Sequence, residues 1–208
     1  MIDFDVIARA EVTRRPFQFF AAPGVLSGAD LARVVADFPA VRKPGIVPLS
    51  ELSYGPAFGR LIADIRSPRL ADILAEKYGV DLTDKPLMIT VRGKAQRKDG
   101  RIHTDMRTKF LTCLLYLNNP WGARGGRLRM LRGAHDLNDF AAEIPPDGGT
   151  LASFLRAENS WHGHEPYVGR RRTVMFNWMT SQAALERELG RHRIAAKLGE
   201  LNPFAPRR

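Results

Sequence analysis

Beyond Leu87 helical periodicity gives way to short β-type runs bounded by turn residues: Leu87 to Arg92, Lys109 to Leu117, Arg127 to Leu131, Thr150 to Phe154 and Thr173 to Met179. Short runs of this kind between Gly, Pro, Asn and Asp read as strands. The part in front of them reads differently. Phe17 to Ala21 suits a short strand, and Ser27 is placed to cap a helix through Phe38 with Leu31, Val34, Val35 and Phe38 on its apolar stripe. A second helix is expected over Ala57 to Ile65. A third follows Ser67-Pro68 through Leu70, Ile73, Leu74 and Tyr78 and stops at Gly79. A helical front and a strand-rich back imply an α+β fold in which helices buttress one face of an antiparallel sandwich or barrel. The stretch from Ala183 reads as a helix running into a Pro-rich basic tail.

The 208 residues, 44% of them hydrophobic, suffice for one substantial core. The expectation is one domain over 1–208: a helical part to about residue 85, a β core over about 86–180, and a C-terminal helix and tail over 181–208. No apolar run approaches the roughly 20 residues of a membrane span, and Met1 to Arg15 lacks a signal-peptide core, so a cytoplasmic protein without membrane contact is expected. The single cysteine, Cys113, sits in an apolar run and is expected to pack in the core. The formal charge of +10 keeps anionic partners open, among them nucleic acid, phosphorylated metabolites and acidic peptides. The basic residues are scattered, however, and no aromatic-interleaved RNA-binding pattern accompanies them. Oligomeric state is not legible.

The segment DGRIHTDMRTKFLTCLLYLNN carries the chemistry. His103 and Asp105 are two apart, so in an extended chain they point to one side. A third metal-ligand candidate, His162, comes later in SWHGHEP, with several expected strands between. Two His and one carboxylate on one face of a metal leave the opposite positions open, as oxygen activation requires. Arg171 then follows at the start of another apolar run. Its guanidinium fork can hold a carboxylate by two charge-assisted hydrogen bonds, a geometry Lys does not match. A lone His-x-Asp is common, and the weight rests on the combination.

From about Thr90 to Met179 the chain resembles the Fe(II)- and 2-oxoglutarate-dependent oxygenases of the prolyl 4-hydroxylase-like kind. The resemblance rests on His103-x-Asp105, the Thr-Cys-x-x-Tyr-Leu-Asn run within Lys109 to Asn118, Gly125-Gly126, His162 ahead of Pro166, and Arg171-x-Thr173. It implies a double-stranded β-helix, a jelly-roll or cupin-like barrel, with the metal near its mouth. It also implies that His103, Asp105 and His162 hold Fe(II) and that Arg171 meets the distal carboxylate of 2-oxoglutarate. Tyr116 matches a tyrosine that hydrogen-bonds the co-substrate in some relatives, and Thr112, four residues earlier on the same strand face, is a further candidate contact. The implied reaction consumes O2, converts 2-oxoglutarate to succinate and CO2, and hydroxylates a substrate, with ascorbate in support. Relatives that halogenate lack the carboxylate, so the presence of Asp105 favours hydroxylation.

Alternatives stay open at this level. His164 competes with His162 as ligand but fits the spacing to Pro166 and Arg171 less well, and it can line the pocket. Arg172 is the fallback for Arg171; choosing Arg171 puts Val174, Phe176 and Trp178 together on the opposite, helix-packing face. His135 and His192 read as surface residues. The substrate is left as a prolyl residue, an amino acid or a small metabolite. The loops Lys94 to Arg101 and Trp121 to Arg124 are candidates to border the pocket. A non-catalytic barrel binding RNA, and a zinc enzyme using the same residues for hydrolysis or isomerisation, are the competing functions.

Overall fold

The computed structural model of the protein describes residues 1–42 and 44–200, with side chains described as far as residue 194. The basic tail expected after the last helix lies outside the described residues. Helices come first. An unforeseen helix α1 (Phe4–Arg9) starts where the Asp3 side chain accepts hydrogen bonds from the Asp5 and Val6 N–H groups. Helix α2 (Gly28–Ala36) begins as expected, the Ser27 hydroxyl accepting from the Asp30 N–H. It ends before Phe38, because the Asp37 carboxylate turns away to accept from the Ala57 N–H at 2.6 Å, in the first turn of α3 (Pro56–Ile65). Helix α4 (Pro68–Tyr78) is capped by Ser67 and closed by Gly79 in the left-handed region at φ 64°.

The strands are β1 (Phe19–Ala22), β2 (Val47–Pro48), β3 (Leu87–Ala95), β4 (Lys109–Tyr116), β5 (Leu128–Leu131), β6 (Phe140–Ile144), β7 (Leu151–Leu155), β8 (His162–Gly163) and β9 (Gly169–Met179), followed by helix α5 (Gln182–Glu200). They form a six-stranded sheet in the order β1-β7-β4-β9-β3-β2 and a three-stranded sheet in the order β6-β5-β8. The neighbours pair antiparallel throughout. Strand alternation divides the larger sheet into two faces. One face sends Val91, Val174, Phe176 and Trp178 into a core shared with Phe58, Leu61, Ile65, Leu70 and Leu74 of the helices. The buried Cys113 lies in this core. The other face sends Tyr116, Ala152 and Phe154 toward Leu128, Met130 and Ile144 of the smaller sheet. Fully burying a side chain of this size contributes about 1.5–3 kcal/mol, so the two interfaces together hold the sheets and helices in register. The expected α+β architecture, helices against one face of an antiparallel barrel, is the one found.

Two strands are longer than the sequence pattern suggests. β9 begins at Gly169, which draws Arg171 into the sheet, and β3 continues past Arg92 through an irregularity between Arg92 and Lys94. Gly93 permits the irregularity, since a Cβ there would lie 2.2 Å from the Val41 carbonyl oxygen. Strand β6 was not anticipated. Its Phe-Ala-Ala-Glu-Ile run has little intrinsic β preference, and it is held by pairing with β5, including an Arg129–Glu143 ion pair at 2.7 Å. Among the described residues no helix is long and apolar enough to cross a membrane.

Candidate metal centre

Residues far apart in sequence meet through a single antiparallel bridge. The His103 N–H donates to the His162 carbonyl at 3.0 Å, and the His162 N–H donates back to the His103 carbonyl at 2.9 Å. Asp105 follows just ahead of β4. One ligand atom from each of His103, Asp105 and His162 lies within 4.8 Å of the others. The ring orientations are set from behind: Nδ1 of His103 is 2.8 Å from the Arg101 carbonyl oxygen and Nδ1 of His162 is 2.9 Å from that of Ser160. A carbonyl only accepts, so each Nδ1 carries a hydrogen and each Nε2 of a neutral ring keeps its lone pair for a cation. Burial pushes the His162 pKa down to about 4, which keeps that ring unprotonated at neutral pH.

The carboxylate is controlled as closely. Asp105 is buried, accepting from the Thr112 hydroxyl at 2.5 Å and the Lys109 ammonium at 2.9 Å. The Asn177 amide donates to Thr112 at 2.8 Å and so orients that hydroxyl. Burial opposes the charge on Asp105, but Lys109, His162 and the Thr112 hydrogen bond outweigh it and hold the carboxyl well below the usual range. Two neutral imidazoles and one carboxylate are the donor set of a divalent first-row metal with open positions. These residues fit Fe(II).

The triad borders a cavity of about 150 Å³ that is also lined by Thr112, Leu114, Arg92, His164 and Arg171. Arg171 is buried; its Nε–H donates to the Gly126 carbonyl at 3.0 Å, and its guanidinium lies 5.2 Å from the Tyr116 ring centre. The Tyr116 hydroxyl, the Thr173 hydroxyl and the Arg92 Nε are buried without a hydrogen-bond partner. They are cross-strand neighbours: Thr173 on β9 stands opposite Arg92 on β3 and opposite Tyr116 on β4. Directly opposed residues share a face, so unpartnered donors form one row beside Arg171. Leaving such a group unsatisfied costs about 1–3 kcal/mol, which an anionic acceptor removes. The row suits a carboxylate placed beside Arg171.

The structure distinguishes the alternatives by where each side chain goes. His164 stands on the cavity wall outside the three-residue cluster, with Nδ1 2.8 Å from the Glu165 carbonyl oxygen, and burial lowers its pKa to about 4. Arg172 leaves on the opposite face from Arg171, over the Phe38 ring at 5.4 Å. Thr112 reaches the cavity, whereas Tyr116 lies beside Arg171, behind the wall. Of the two loops, Gly100 reaches the cavity, but Trp121, Gly122 and Ala123 line a separate depression with Tyr167, Arg170 and Arg172. His135 is exposed; His192, expected at the surface, is half-buried and lines a cleft outside the triad. Sequence reasoning missed Arg92, Lys109 and Asn177. Arg92 and Asn177 do interrupt apolar β runs with a polar side chain, which is the signal that was available.

Residues 93–180 match the family model of the 2OG-Fe(II) oxygenase superfamily. That segment contains the triad and Arg171. No curated protein matches the chain. Among solved structures, a Pseudomonas putida prolyl-4-hydroxylase is similar at a TM-score of 0.53 and 16% identity, over 85% of this chain and 96% of the other. HygX from Streptomyces hygroscopicus, with nickel and 2-oxoglutarate bound, is similar at 0.52 and 16% identity, over 77% of this chain and 81% of the other. The non-heme alpha ketoglutarate dependent epimerase SnoN from nogalamycin biosynthesis is similar at 0.50 and 16% identity, over 77% of this chain and 78% of the other. At such identities the likeness is one of fold, the double-stranded β-helix.

Proposed function

We propose that the protein is an Fe(II)- and 2-oxoglutarate-dependent dioxygenase that hydroxylates a C–H bond of a small-molecule or peptidyl substrate. One observation carries this reading: a single cavity is lined both by the His103, Asp105 and His162 cluster and by Arg171, which has no carboxylate partner among the described residues. When bound, iron with 2-oxoglutarate and O2 supplies the oxidising power for C–H hydroxylation, coupled to formation of succinate and CO2. The chain's own residues do the rest. His103, Asp105 and His162 hold the metal; Thr112 and Lys109 keep Asp105 ionised and oriented. Arg171 and Arg92, which both line the cavity, receive the distal carboxylate, backed by the buried hydroxyls of Tyr116 and Thr173. Leu114, Leu128 and Phe154 give the cavity its apolar lining, which limits water around the reacting centre and strengthens each electrostatic contact. Asp105 fills the position that a halide would need, which supports hydroxylation over halogenation.

The test is succinate formation by the purified protein with Fe(II), ascorbate and 2-oxoglutarate, across prolyl peptides, amino acids and neutral metabolites, beside His162→Ala. Turnover that needs iron and His162 is expected. Failure to bind both metal and 2-oxoglutarate would overturn the proposal.

A further inference from the structure

A second cleft, of about 510 Å³, opens outside the triad and shares Ile46, His103, Asp105, Lys109, Met175 and Asn177 with the inner cavity. A substrate approaching the metal from this side passes through it. The larger share of its lining surface is apolar: Met88 and Met175 come from the sheet, Met106 from the segment before β4, and Ile194 from α5. Met106 is 44% exposed and Ile194 61%, two of the four large hydrophobic side chains left open to solvent among the described residues. Large apolar side chains left open together at the mouth of a cavity mark a contact surface. Methionine, unbranched and polarisable, moulds to an apolar ligand of irregular shape.

The charges in the cleft cancel in pairs. Lys109 is held by Asp105 at 2.9 Å. Arg191 is held by Glu188 at 3.3 Å, and Glu188, buried, also accepts from the Thr108 hydroxyl. Burial and the nearby Lys109 lower the His192 pKa, which favours its neutral form. Among the described residues no charged side chain facing this cleft is therefore left without a partner of opposite charge, although the chain as a whole carries +10. Bringing an unmatched charge into such a site costs its desolvation without return.

We infer that the outer cleft selects a substrate group that is uncharged and mainly apolar, and that the basic surface of the protein plays no part in choosing it. This rests on the oxygenase reading, because it is the metal cluster that makes the cleft a substrate site. A volume of this size accepts a small molecule or one uncharged side chain of a peptide.

The experiment compares cyclohexylmethanol, cyclohexanecarboxylate, cyclohexylmethylamine and N-acetylprolinamide, each titrated into metal-free protein by saturation-transfer NMR. The two uncharged probes are expected to bind, with both charged probes weaker by about tenfold or more. Glu188→Gln, which releases Arg191, is expected to improve cyclohexanecarboxylate by about tenfold and leave the alcohol unchanged. Met175→Lys, which adds an unpaired cation to the cleft, is expected to shift preference the same way and serves should Glu188→Gln not fold. Equal or tighter binding of a charged probe by the unaltered protein would overturn the inference, as would absence of binding by both uncharged probes. Metal and 2-oxoglutarate binding, measured separately by calorimetry, report on the oxygenase reading alone, so the two can fail independently.

Discussion

Replacing Arg171 by Met isolates the anchoring of 2-oxoglutarate. The Arg171 Nε–H is already committed to the Gly126 carbonyl at 3.0 Å, so the two terminal nitrogens are what remains for a ligand. Two terminal nitrogens match the two oxygens of one carboxylate. Hydrogen bonds to a charged group contribute about 1.5–3 kcal/mol each, and the two are not additive, so about 3 kcal/mol is lost in the variant. That corresponds to roughly 150-fold weaker binding. The assay is calorimetry on Mn(II)-loaded protein, comparing 2-oxoglutarate with 2-oxobutyrate, which has the same keto-acid head and no distal carboxylate. Arg171→Met is expected to lose most of its affinity for 2-oxoglutarate and almost none for 2-oxobutyrate. An equal loss for both would mean that the substitution damages the site as a whole, and no loss for either would remove Arg171 from the binding of the co-substrate.

Tyr116→Phe deletes a buried hydroxyl that has no partner, so thermal unfolding without ligand is expected unchanged or raised by about 1 kcal/mol, while 2-oxoglutarate binding weakens about five- to tenfold; movement of both in the same direction would contradict this. His162 and His164 have folded pKa values lowered to about 4, so between about pH 6.5 and 4 the unfolded chain binds more protons and stability falls on acidification. The expected loss from pH 7 to 5 is about 2 kcal/mol per imidazole, measured by denaturant unfolding of the metal-free protein, and His164→Gln should remove about half of it; an unchanged pH slope in that variant would refute the assignment. The same shift places the His162 contribution to acid release of metal near pH 4, below the ordinary histidine range. Gly100 has φ +83°, and a Cβ there would lie 2.3 Å from His164 Nδ1, so Gly100→Ala is expected to destabilise by about 1–3 kcal/mol and to disturb the cavity wall; a melting temperature equal to the parent's would show that the loop yields freely.

Local rules were enough for much of this molecule. Ser27, Ser67 and Gly79 act as helix caps, and the apolar runs become the β-sheet strands, because these elements depend on neighbours within a few residues. The alternation of β9 likewise separates Arg171 from Arg172. The order His103, Asp105, His162, Arg171 was visible as a pattern before any fold was known. What the pattern leaves out is distance. His103 and His162 meet through a bridge of one residue from each side, and β8 is too short to leave any periodic trace. β6 exists because β5 offers it an edge, and Asp37 cuts α2 short to serve the first turn of α3 at Ala57, twenty residues later. Lys109 and Thr112 reach Asp105 from the strand that follows it, whereas the Asn177 amide on Thr112 and the row of Arg92, Thr173 and Tyr116 arise from strand register. The charge pairs of the outer cleft are local, Asp105 with Lys109 four residues on and Glu188 with Arg191 three residues on within α5, but only the tertiary structure sets α5 beside the sheet and brings both pairs to one cleft, because that juxtaposition joins residues some eighty positions apart.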